Sequence, residues 1–70
     1  MNETIKMTLK AARINAGKTQ AETAESLGIS TATLSSWELG KTEPSVSQFH
    51  KLCALYGVSI DNVFLSETTN

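Results

Sequence analysis

Gly28 stands between two stretches that each begin with a good helix cap, and this arrangement leaves residues 19–37, TQAETAESLGISTATLSSW, few ways to fold. The Thr19 hydroxyl can accept from the backbone N–H of Glu22 while the Glu22 carboxylate reaches back to the N–H of Thr19, a reciprocal box that opens a helix. Ala21, Ala24 and Leu27 keep that helix in apolar phase, and a glycine directly after Leu27 can take the left-handed conformation that closes it. Ser30 can cap a second helix, with Ile29 before it and Leu34 inside it spaced to meet as a hydrophobic staple. Two short helices joined by one glycine turn are therefore expected.

Helices that cross at roughly 90–120° through so short a turn press their backbones together, and Ala24 supplies the small side chain the crossing needs. Ala24, Gly28, Ile29, Leu34 and Trp37 each have a separate steric reason, and together they spell a helix-turn-helix. Around it, 70 residues suffice for one small domain, which buries only about 60% of the surface its unfolded chain exposes. The opening residues MNETIKM contain no apolar run with a cleavage site, and nothing approaches the roughly 18 apolar residues of a membrane span, so a soluble cytoplasmic chain is expected. The single cysteine, Cys53, has no internal disulfide partner, which leaves packing to hold the fold.

Apolar periodicity extends the helical reading to the rest of the chain. Ile5, Leu9, Ala12, Ile14 and Ala16 predict a first helix over 4–16, ended by Gly17, with Lys6 and Lys10 one turn apart on another face. The motif helices follow over 19–27 and 30–39, and Gly40 to Pro44 reads as a loop. Ser45 with Gln48 forms a second capping box, and Val46, Phe49, Leu52, Cys53 and Tyr56 predict a fourth helix over 46–56, stopped by Gly57. Ser59 then caps a predicted fifth helix, with Val58 and Val63 as its staple and Phe64 and Leu65 apolar. No alternating strand pattern competes, so the expected class is all-α: a compact five-helix domain over 1–66 and a polar tail over 67–70.

If Leu34 and Trp37 face inward, the outward positions of the third helix are Thr31, Ala32, Ser35 and Ser36, with Thr33 at the margin. These short side chains suit hydroxyl contacts to base edges and methyl contacts to thymine in a major groove. Lys18, Thr19 and Lys41 flank the motif where phosphates would lie, although the net charge is only −1. Other chemistry finds little support. His50 and Cys53 share half a metal site, but zinc needs three or four ligands, so no metal and no cofactor are expected. Each of the four glycines reads as a helix stop, which leaves none for a phosphate loop or nucleophile elbow, so no catalytic residue and no enzyme are expected.

The segment GKTQAETAESLGISTATLSSWELGKTEPS followed by FHKLCALYGVSIDNVFL resembles the phage repressor and Cro-like helix-turn-helix family, the lambda repressor-like domains of Xre-type transcriptional regulators. The resemblance covers nearly the whole chain and rests on Gln20, Ala24, Leu27-Gly28-Ile29, Leu34, Trp37-Glu38, Gly40, Pro44 and VSIDNVF. Thr23, where the family commonly has leucine, and Glu43, where related repressors often carry arginines, depart from the pattern. The resemblance implies a sequence-specific domain for double-stranded DNA, usually a homodimer on a palindromic operator, that regulates phage, mobile-element or bacterial host genes, most often as a repressor. It further implies that Gln20 spans phosphate and base edge, and that Arg13 and Glu38 form an ion pair partly shielded by Trp37. A dimer through the C-terminal region is expected from Leu55, Val58, Ile60 and Leu65, more apolar side chains than one face of two short helices needs. The rival expectation is a protein-interaction module on the same fold, an antitoxin or coactivator-like adaptor.

Overall fold

Thr8, rather than residue 4, opens the first helix. In the computed structural model, which describes residues 6–64, the Thr8 hydroxyl accepts the N–H of Ala11 at 3.0 Å, and α1 spans Leu9–Asn15. A helix begun at residue 4 would have to run through Thr8, whose β-branched side chain is stiff in a helix and whose hydroxyl serves better as a cap. Met7–Thr8 instead form a short strand, β1, that lies parallel to β2, Val63–Phe64, with Met7 opposite Val63 and Thr8 opposite Phe64. Lys6 therefore precedes a strand and shares no helical face with Lys10.

The next three helices follow the caps read from the sequence. Helix α2, Gln20–Leu27, carries the complete Thr19–Glu22 box, and α4, Val46–Tyr56, carries the Ser45–Gln48 box. Helix α3, Thr31–Glu38, begins with Ser30 accepting from Thr33 N–H. Gly28 sits at φ 72°, and the turn closes through Ile29 N–H on the Ala24 carbonyl and Gly28 N–H on that of Glu25. A side chain at Gly28 would meet no atom within 4 Å, so it is the left-handed backbone and not lack of room that favours glycine there.

The predicted fifth helix is a correction. Ser59 does cap, accepting from Asp61 N–H, but only one 3₁₀ turn follows, Ile60–Asn62, before Val63 extends at φ −126°, ψ 134°. Asp and Asn are weak helix formers, whereas a β-branched valine followed by phenylalanine suits a strand that pairs with β1. The described residues thus form four α-helices, a 3₁₀ turn and a two-stranded parallel sheet rather than a five-helix all-α domain.

Leu9 and Ala12 of α1, Leu34 and Trp37 of α3, Leu52, Cys53 and Tyr56 of α4, and Val63 of β2 make the core. Ala24 of α2 is buried. Ile14 and Val46, both counted in apolar stripes, are 57% and 76% exposed: α1 turns Leu9, Ala12 and Arg13 inward and leaves Ile14 on its far side, and Val46 lies in the first turn of α4 beside the loop. Thr4, Ile5, Leu65 and the polar tail lie outside the described residues.

Candidate nucleic-acid interface

The outward face of α3 is set by what its inward face must do. Burying Leu34 and Trp37 leaves Thr31 and Ala32 exposed and Thr33, Ser35 and Ser36 half-buried along the opposite side. Ser30 Oγ accepts from Thr33 N–H and donates to Thr33 Oγ1, both at 3.0 Å, which ties two hydroxyls together at the start of the helix.

An ion pair fixes how far this helix stands from the scaffold. Arg13 Nε donates to Glu38 Oε2 at 2.7 Å and Nη2 to Oε1 at 3.3 Å, while Nη1 donates to the Lys18 carbonyl at 3.0 Å. The side chains are 11% and 3% exposed. Hydrogen bonding to Glu38 raises the guanidinium pKa, against the opposing effect of burial, so the cation persists at any working pH. Gln20 joins the pair, its Nε2 donating to Glu38 Oε1 at 2.9 Å. The first residue of α2 is thereby linked to the last of α3 and to α1. The second amide hydrogen and the carbonyl oxygen of Gln20 keep their bonding capacity.

At the start of α2 the capping box engages the N–H groups of Thr19 and Glu22, leaving those of Gln20 and Ala21, in the first turn, to attract an anion. The backbone and hydroxyl of Thr19 hold the Glu22 carboxyl below its usual range. Lys18 is half-buried beside this terminus, and Lys41 is exposed in the loop after α3. The structure gathers the named residues into two groups: Lys18, Thr19 and Gln20 at the start of α2, and Thr31, Ala32, Thr33, Ser35 and Ser36 along α3 with Lys41 beyond its end.

Two features escaped the sequence reading. Thr42 donates through Oγ1 to Ser36 Oγ at 2.9 Å, joining loop to helix; a hydroxyl two residues past the closing glycine was the available signal. Behind the motif, Thr23 Oγ1 and Tyr56 OH are buried and neither makes a well-formed hydrogen bond. Burial raises the Tyr56 pKa, and the nearby Thr23 hydroxyl opposes that shift. Among the described residues no three metal-ligating side chains cluster, and no helix is long and apolar enough to cross a membrane.

Residues 9–63 match the family described as helix-turn-helix. The chain belongs to the Xre-like helix-turn-helix family. Among curated relatives, an uncharacterised helix-turn-helix-type transcriptional regulator of Methanocaldococcus jannaschii is 35% identical over 63 residues, covering 90% of this chain and 96% of the relative. No solved structure matches the chain significantly. The matched span runs from α1 through α4, and within it Arg13, Glu38 and Gln20 link α2 and α3 to α1.

Proposed function

We propose that this chain is a sequence-specific regulator of transcription that binds double-stranded DNA, with α3 in the major groove and α2 across the backbone. The observation that carries this reading is the outward face of α3. Thr31, Ala32, Thr33, Ser35 and Ser36 are left at the surface of a helix whose inner face is locked in the core and whose end is pinned by Arg13 and Glu38. Gln20, Thr19 and the start of α2 meet phosphate, with Lys18 and Lys41 beside them. Two copies on a palindromic operator would block a promoter of a phage, mobile-element or host gene from the cytoplasm, the usual mode of a repressor. The domain so used spans 1–66.

A net charge of −1 favours a second reading, in which the same surface binds a protein. Selection from a random duplex pool at low salt separates the two. Recovery of a two-fold symmetric consensus supports the regulator; failure to bind any duplex overturns it in favour of the protein-binding module.

A further inference from the structure

Gly40 closes α3 in the left-handed region, at φ 78°, and the loop folds back over the helix it ends. Lys41 N–H reaches the Ser36 carbonyl at 2.9 Å and Gly40 N–H that of Trp37 at 3.1 Å, the two bonds of a Schellman closure. The next residue is thereby brought beside the outer face of α3, and Thr42 Oγ1 donates to Ser36 Oγ at 2.9 Å. Serine inside a helix ordinarily turns its hydroxyl back to the carbonyl one turn earlier. Here the loop supplies the alternative, and among the described residues the Ser36 hydroxyl hydrogen is given to no protein group.

We infer that Thr42 is a positioning residue for base recognition, holding the half-buried Ser36 hydroxyl so that it faces the groove as a hydrogen-bond donor. The inference rests on the reading of α3 as the DNA-facing helix. A hydroxyl free to rotate turns its hydrogen or either lone pair to any base edge; one held by Thr42 has its oxygen fixed and one lone pair taken, which tips it toward giving its hydrogen. Guanine N7 and O6, adenine N7 and thymine O4 accept such a hydrogen, whereas the cytosine amine offers only another donor. Ser36 so held disfavours cytosine at the base it faces. Thr42 touches no base in this scheme. Its neighbour Lys41 meets phosphate, so the same loop anchors the backbone with one residue and sets the reading with the next.

The test compares sequences selected from a random duplex pool by the wild-type chain, Thr42→Val and Thr42→Ser. Thr42→Val keeps the shape without the hydroxyl; it should admit cytosine at one position per half-site, with discrimination there falling about three- to tenfold, the worth of one neutral hydrogen bond. Affinity for random DNA, its salt dependence and the melting temperature should not change, and Thr42→Ser should restore the preference. Adding Thr42→Val to Ser36→Ala should relax that position no further than Ser36→Ala alone, because both remove one contact. An unchanged consensus for Thr42→Val, or an equal loss on selected and random DNA, overturns the inference while leaving the DNA reading intact. A wild-type chain that binds no duplex overturns both.

Discussion

Arg13 and Glu38 are close and shielded enough that losing either leaves a charge with no comparable partner. For Arg13→Ala the Glu38 carboxylate, 3% exposed, would retain only the Gln20 amide. Breaking a buried pair in this way costs about 3–5 kcal/mol, against a total of about 4–10 kcal/mol for a domain of this size. Thermal unfolding should therefore find the melting temperature of Arg13→Ala lowered by about 12 °C or more, and an unchanged melting temperature would contradict the pair's structural role. Thr23 predicts the opposite sign. Its hydroxyl is fully buried without a well-formed partner, so Thr23→Val removes an unsatisfied group at constant shape and should stabilise by about 1 kcal/mol, or a melting rise of about 4–8 °C. A fall would mean that its interaction with Tyr56 is a net favourable one. The Arg13–Glu38 pair was legible only through resemblance, because residues so far apart in sequence carry no local signal of contact. The neighbouring Thr23 and Tyr56 hydroxyls were not legible at all; the sequence showed only a threonine where the family commonly has leucine.

Capping decided which elements could be read from the chain. Thr19, Ser30 and Ser45 start helices within a residue of where they were expected, because a cap and its bond to the third helical residue are a local matter. The same logic failed at both ends. Periodicity from Ile5 to Ala16 looked helical, yet Thr8 was the working cap; and Ser59 capped a segment that Val63 and Phe64 then drew into a sheet with Met7 and Thr8. Pairing between the two ends of a chain depends on the folded core, which no short window of sequence contains. The Thr19 box also makes a pH prediction. Glu22 has a folded pKa below its usual value of 4.5, so its contribution to stability is fully present above that value and is lost as pH falls through the lower folded one. Gln48 occupies the corresponding place in the Ser45 box, so glutamine can complete such a box without ionising. The melting-temperature advantage of wild type over Glu22→Gln should shrink between about pH 6 and about pH 3. A difference that stays constant across that range would remove the carboxylate from the account.

Across the whole molecule, charge and exposed apolar surface bear on how the chain would meet DNA. Leu55 and Val58 pack against the core rather than standing free, so Ile60 and Phe64, 40% and 37% exposed, are what the described C-terminal surface offers a second copy. So small a patch falls short of the roughly 800 Å² per partner of a stable interface, and sedimentation should find the free chain monomeric at micromolar concentration and paired only on a two-fold operator. Lysine and arginine together number six, and Arg13 is held by Glu38, so its charge is not available to a phosphate. Of the lysines, Lys18 and Lys41 flank the motif, whereas Lys10 and Lys51 are on α1 and α4 and Lys6 precedes β1. Two phosphates neutralised per half-site give a log–log salt slope of about −1.8 for one copy and about −3.6 for a pair. Lys41→Ala should flatten the paired slope to about −1.8 and weaken selected and random DNA alike, because a phosphate is the same beside every base. Ser36→Gln should leave the slope near −3.6 and shift the selected sequence toward adenine at one position per half-site, since glutamine pairs with both major-groove groups of adenine. A wild-type slope steeper than about −6 would require lysines outside the motif to reach the backbone, and the docking of α3 in the major groove would have to be redrawn around them.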